Sequence, residues 1–329
     1  MERERYFWPS PPNPPRIEWL GLYQSQLDLK MTSFRRIKAA IAGEDAPIAL
    51  KKPSDVRSDA VLDKLYVSDT EASCVYVFDL KQGELRMLST SGSGLPERIT
   101  PISLATDRNS NLYVLEPRFK KILVFNSSEK YIRTIDLMKT SRRPVALAID
   151  KNRERLYVSD VQLNKIFVFN LNGVKLFDFG TPGSGEGEFN RPVSIAIASN
   201  GDIIIADAFN ARVQIFSESG VFRNAFGKRG ENAGNFQMIK AVAVDQDDNV
   251  YAVDSRSHSV SIFTHRGELL TVLGGFYAVS KSGKVAPGGF SLPMGIDIDA
   301  RGRIFVVDQQ NARVQAFQYL SETPAPSPP

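Results

Sequence analysis

Short apolar runs separated by polar turns recur along the chain, and the runs repeat. Leu65-Tyr66-Val67-Ser68 ends at Asp69, Leu112-Tyr113-Val114-Leu115 at Glu116, and Leu156-Tyr157-Val158-Ser159 at Asp160. Ile203-Ile204-Ile205-Ala206 ends at Asp207, Val250-Tyr251-Ala252-Val253 at Asp254, and Ile304-Phe305-Val306-Val307 at Asp308. Nine residues beyond each acid stands a phenylalanine: Phe78, Phe125, Phe169, Phe216, Phe263 and Phe317. The acid-to-acid spacings are 47, 44, 47, 47 and 54. Six copies at this period predict a propeller of six four-stranded blades. The fourth copy shows the parse. Pro192-Val193-Ser194-Ile195-Ala196-Ile197 is a strand of small residues fit for the crowded centre of a ring, and Ser199-Asn200-Gly201-Asp202 is a turn. Ile203 to Ala206 is apolar throughout, as a strand buried on both faces should be. Val213-Gln214-Ile215-Phe216 alternates, and Gly220 turns the chain into an outer strand over 221–226. Five copies open with proline (Pro53, Pro101, Pro144, Pro192, Pro293), which suits a first strand position; the fifth has Ile239.

The two ends of the chain complement each other. The sixth copy stops after its third strand at Leu320, and the proline-rich segment 321–329 supplies no fourth. Residues 16–23 (RIEWLGLY) form a strand with no copy of its own. The economical expectation is that this strand completes the sixth blade and closes the ring. The predicted organisation is a proline-rich segment over 1–15, one all-β six-bladed propeller over 16–320, and a disordered tail over 321–329. One short surface helix is expected at 30–43, where Met31, Phe34, Ile37 and Ile41 fall at helical spacing and Gly43 marks a stop.

Composition narrows the partners little. The net charge of +4 permits acidic partners without demanding them. Cys74 is the only cysteine, so no intrachain disulfide forms. No apolar run reaches the length of a membrane span, and residues 1–15 carry no signal-peptide core.

The pattern Pro-x-x-Ile-Ala-x, then apolar-x-Val-x-Asp-x-x-Asn-x-Arg-Val-x-x-Phe, resembles the NHL repeat. It is clearest at Asp207, Asn210, Arg212, Val213 and Phe216, and at Asp308, Asn311, Arg313, Val314 and Phe317. The third copy is close, with Asn164 one place late, whereas Cys74 and Ser259 replace the basic residue in the first and fifth. The resemblance covers about residues 50–320. It implies the propeller fold and leaves function open among RNA binding, protein binding, occasional enzymes and bacterial envelope roles. A periplasmic or cell-envelope location, with peripheral or lipid-anchored attachment of a longer precursor, is the expectation it suggests; a cytoplasmic location is the alternative.

Repetition argues against most candidate sites. The pairs Glu116/Lys121, Asp160/Lys165, Asp207/Arg212 and Asp308/Arg313 read as structural ion pairs across a hairpin. The glycine-rich stretches 180–189, 227–236 and 274–290 have strands on both sides and no phosphate-loop signature, so they read as crossovers anchored by Phe189, Phe236 and Phe290. His258 and His265 fall at opposite ends of the fifth blade and cannot share a metal. Asp55, Asp297 and Asn249 are available to a channel site, but they form no recognisable pattern. One rim collects Arg98, Arg118, Phe119, Lys120, Arg142 and Arg143. It also collects Arg191, Phe209, Arg256, His258 and Gln310. Arginines beside aromatics suit partner binding. The expectation is therefore a non-enzymatic scaffold that binds another protein through this rim, with no cofactor, no metal and no catalytic residue assigned. An RNA-binding module using the basic rim is the alternative, and a metal-dependent hydrolase or lyase at the central channel is the second.

Overall fold

Each copy folds as one antiparallel sheet because its runs are joined by turns that reach only the neighbouring strand. In a computed structural model that describes residues 5–9, 14–29, 48–96, 98–277 and 286–320, six such sheets form a closed six-bladed propeller. Blade one runs Pro53–Asp59, Lys64–Asp69, Cys74–Asp79 and Glu84–Met87 in spatial order, and the next four blades repeat this order. The helix expected at 30–43 and the tail 321–329 lie outside the described residues.

The ring closes as the sequence predicts. Ile17–Tyr23 pairs with Arg313–Tyr319, from Ile17 against Tyr319 to Tyr23 against Val314. Phe7–Trp8, inside the segment expected to be a proline-rich lead, adds a fifth strand to the same sheet. Trp8 packs edge-on against Phe317 at 5.7 Å, and Trp19 Nε1 donates to Gln315 Oε1 at 3.2 Å.

Apolar burial lies between blades. Val75 and Val77 of blade one pack with Leu104, Val114 and Leu123 of blade two, all at most 1% exposed. The acid that ends each second strand holds the backbone leading into its own blade. Asp69 Oδ2 accepts the amides of Lys51 and Lys52 at 2.7 and 3.0 Å, and Asp254 accepts those of Gln237 and Met238. Glu116, Asp160, Asp207 and Asp308 do the same for Thr100, Arg142, Asn190 and Ser291.

The acid-to-base pairing expected in four blades forms in two. Arg212 meets Asp207 at 3.0 Å and Arg313 meets Asp308 at 2.7 Å. Lys165 turns instead to Asp178 at 2.7 Å, and Glu116 takes Arg118 at 3.3 Å. The difference lies in the guanidinium fork. Arg212 also donates to the carbonyls of Gly185 and Glu188, and Arg313 to that of Gly289. An ammonium on one stem lacks that planar reach. The three crossover phenylalanines behave as expected. Phe189, Phe236 and Phe290 are fully buried, each against a positive-φ glycine at the start of its loop, Gly180, Gly227 and Gly274.

Candidate functional site

The innermost strands line the channel, and in five of the six blades the register shifts just after the opening residue. The shift falls between Pro53 and Asp55, Pro144 and Ala146, Pro192 and Ser194, Ile239 and Ala241, and Pro293 and Ile296. A bulge re-aims the residue it skips. Here the residue after the opening position lines the channel mouth in every blade: Ser54, Ile102, Val145, Val193, Lys240 and Met294. Lys240 is the one charge in this layer.

Below it comes a layer of Asp55, Ser103, Ala146, Ser194, Ala241 and Gly295. Asp55 is its one charge. Ser103 Oγ accepts the Leu147 amide at 3.0 Å, and Ser194 Oγ accepts that of Val242 at 3.1 Å. Asp55 Oδ2 takes the equivalent bond from Leu104 at 2.8 Å, so a carboxylate fills a place that elsewhere suits a hydroxyl. Gly295 leaves room for it, since a Cβ there would stand 2.7 Å from Asp55 Oδ1. Burial pushes the Asp55 carboxyl up to about 6, against the pull of Arg57 and of the Leu104 and Val56 amides, with Asp297 adding to the rise. Burial also lowers the Lys240 ammonium, opposed by Asp254.

The next channel-facing layer is alanine in four blades (Ala105, Ala148, Ala196, Ala243) and charged in two, Arg57 and Asp297. Arg57 borders both the mouth cavity of about 300 Å³ and a chamber of about 470 Å³ toward the opposite face. Its Nη1 meets Asp297 Oδ1 at 2.5 Å and its Nε donates to the Leu104 carbonyl at 3.2 Å. Asp297 lines the channel as the sequence suggested, while Asn249 sits in a turn and donates to Asp245 at 3.0 Å.

A second cavity of about 600 Å³ adjoins the mouth across Val145, Val193 and Lys240, which border both. Three of the expected rim residues, Arg143, Arg191 and Phe209, line it together with Arg229, which the sequence reading passed over. The other rim residues stand apart from it. Arg118 lies over Phe119 at 5.5 Å and pairs with Glu116, and Lys120 adopts a positive φ in the same loop. Arg98, Arg142, Arg256 and Gln310 are exposed. His258 accepts the Leu292 amide and lies 4.8 Å from Phe276, and His265 meets Asp202 at 3.1 Å. Neither histidine borders the channel cavities.

A metal at the channel does not fit this donor set. Among the described residues no group of three or more His, Cys, Asp and Glu is placed to hold an ion. Asp297 directs its oxygens at Arg57 and Ser58, while Asp55 accepts one amide on each oxygen and keeps a lone pair on each.

Comparison with known proteins agrees on the ring. A family model described as a 6-bladed beta-propeller matches residues 48–152, and the NHL repeat model matches residues 189–216. The NHL resemblance is thus carried by a single matched repeat. Virginiamycin B lyase from Staphylococcus aureus superposes with a TM-score of 0.59 at 13% identity, over 82% of this chain and 96% of that one. A gluconolactonase from Xanthomonas campestris gives 0.59 at 13%, over 92% and 98%. A protein of unknown function from Bacteroides thetaiotaomicron gives 0.65 at 14%, over 91% and 75%. At these identities the likeness establishes the fold. It also corrects the expectation of a non-enzymatic, protein-binding scaffold. That expectation treated the repeated ring as a sign of pure scaffolding, and solved structures sharing the ring include lyases and a gluconolactonase. Among the described residues no helix is long and apolar enough to cross a membrane.

Proposed function

We propose that this protein is an enzyme of the lyase or hydrolase class that cleaves a small molecule at the channel mouth by proton transfer. One observation carries the reading. Asp55, the sole carboxyl in its layer, borders the mouth cavity with an affinity for protons raised to about 6. A general base works best when its pKa lies near the working pH, and burial is the usual means of tuning a carboxyl there. Asp55 accepts a proton from the substrate or from an attacking water. Arg57 and Lys240, which border the same cavity, stabilise the negative charge that develops. Lys240, easier to deprotonate than an exposed lysine, supplies a proton to the leaving atom. The perturbed pair in one cleft is the signature expected of an acid–base site. The similar lyase and gluconolactonase structures support the reaction class.

The test is turnover of a panel of lactones, aryl esters and cyclic depsipeptides by the purified protein. Cleavage whose rate rises with pH through about 6 and is lost in Asp55→Asn supports the assignment. A panel left intact, or an Asp55→Asn variant as fast as the parent, overturns it.

A further inference from the structure

The cavity beside the mouth has a composition that the acid–base reading leaves unused. Four cations border it, Arg143, Arg191, Arg229 and Lys240, and no carboxylate does. They come from separate elements. Arg143 and Arg191 precede the inner strands Pro144–Asp150 and Pro192–Ile197, Arg229 lies in the crossover into blade five, and Lys240 is the bulged residue of that blade. Like charges gathered on one wall repel, and the buried Asp254 acts on Lys240 alone of the four, so an arrangement of this kind is suited to an anion.

Two of the arginines are held in place without being neutralised. Arg229 Nη2 donates to the Phe209 carbonyl at 3.0 Å. The Arg191 guanidinium lies 4.6 Å from the centre of the Phe209 ring. Phe209 itself is 52% exposed, and Met238 beside it is 40% exposed, so the cationic wall frames an apolar floor. The buried acid beneath, Asp254, is committed to the amides of Gln237, Met238, Arg256 and Ser257. Guanidinium forks match carboxylate and phosphate oxygens in pairs, and a volume near 600 Å³ suits a ligand larger than an inorganic ion.

We propose that this cavity recognises a small organic anion that carries at least two negative charges on an apolar, planar body. The charges meet Arg143, Arg191, Arg229 and Lys240, and the body lies on Phe209 and Met238. Lys240 borders the channel mouth as well, so one end of the bound molecule is delivered toward Asp55. This deepens the acid–base reading and rests on it for that last step, but binding itself is measured separately.

The experiment is isothermal titration of wild type and Asp55→Asn with naphthyl phosphate, phthalate, neutral naphthol, inorganic phosphate and a single-stranded oligonucleotide. Naphthyl phosphate and phthalate are expected to bind both proteins at least tenfold more tightly than naphthol or inorganic phosphate. Added salt should weaken that binding. Lys240→Met and Arg191→Gln should each lower the affinity about tenfold or more at unchanged melting temperature. Naphthol binding as well as naphthyl phosphate, inorganic phosphate binding as well as either, or unaltered affinity in both variants overturns the proposal. So does failure of both organic anions to bind, or preference for the oligonucleotide, which would assign the surface to nucleic acid. Anion binding that survives in Asp55→Asn while no panel compound is cleaved would sink the catalytic reading and leave this one standing. Turnover without anion binding would do the reverse.

Discussion

Arg57 on blade one and Asp297 on the neighbouring blade six meet at 2.5 Å on the channel wall, in a layer where the other four blades carry alanine. The same guanidinium donates to the Leu104 carbonyl of blade two, and the Ser58 amide donates to Asp297 Oδ2 at 2.7 Å. One side chain thus ties three consecutive blades at the seam where the ring closes. Asp297 is 5% exposed and the Arg57 side chain 25%, so removing the carboxylate leaves a largely covered cation without its partner. Asp297→Ala should lose about 3 kcal/mol in urea unfolding. Replacing the pair together, Arg57→Met with Asp297→Leu, should recover most of that loss, because an apolar pair leaves no charge unpaired. A single substitution costing less than about 1 kcal/mol would mean that the pair is solvated and does not hold the seam.

The closing strand supports a second prediction. Ile17–Tyr23 covers the edge of Arg313–Tyr319, and Ile17 is 1% exposed within a cluster that includes Phe290, Ile304 and Phe317. Deleting residues 1–24 leaves a seven-residue strand with a free ladder of donors and acceptors beside an open apolar face. The truncated protein should aggregate on size-exclusion chromatography. A monomer with a cooperative melt near that of the parent would show that blade six is stable with three strands.

The ring was legible because each copy carries its own signals: an acid, a phenylalanine nine residues on, and a turn between. The channel site was less so, because regularity drew attention to what repeats. The informative positions are those where one copy departs from the others. Lys240 follows Ile239 where the aligned residues are Ser54, Ile102, Val145, Val193 and Met294. Aligning the six opening residues exposes that break without any structure, and it was the signal missed. Asp55 could be suspected from the sequence, but its altered acidity could not, because it comes from burial beside Gly295 across the blade seam. Arg229 lies in a crossover read as a spacer, and only the folded loop brings it to the Phe209 carbonyl. The lysines expected to copy the arginine pairs failed for a chemical reason: equal spacing does not give an ammonium a guanidinium's fork.

The crossover latches make a third prediction. At Gly180 φ is +89°, and a Cβ would lie 2.3 Å from the Phe189 ring. Gly180→Ala meets both backbone strain and a clash with a fully buried side chain, so it should cost at least about 1–3 kcal/mol. Gly275 is the control, because a Cβ there has nothing within 4 Å. Gly275→Ala should change the melting temperature little. Equal effects from the two substitutions would remove the latch.

The Asp55 carboxyl makes the fourth prediction, and the sign decides it. Its folded pKa stands at about 6 against an ordinary 3.8, so the fold favours the protonated form. The stability tied to that proton is fully present below about pH 4 and is lost as pH rises through 6. The loss by pH 7.5 is about 3 kcal/mol at most. Asp55→Ser keeps an acceptor for the Leu104 amide, as Ser103 and Ser194 do for theirs, and removes the titration. Other titrating groups are common to both proteins and cancel in the difference. The serine variant should therefore gain stability over wild type as pH rises from about 4 to 7.5, measured by urea unfolding at several pH values. A difference that stays flat across this range would place the Asp55 titration elsewhere, and its assignment as a base working near neutral pH would go with it. A difference that opens as expected identifies a carboxylate that the fold holds at its own expense, which is the behaviour of a group placed for chemistry and not for the stability of the ring.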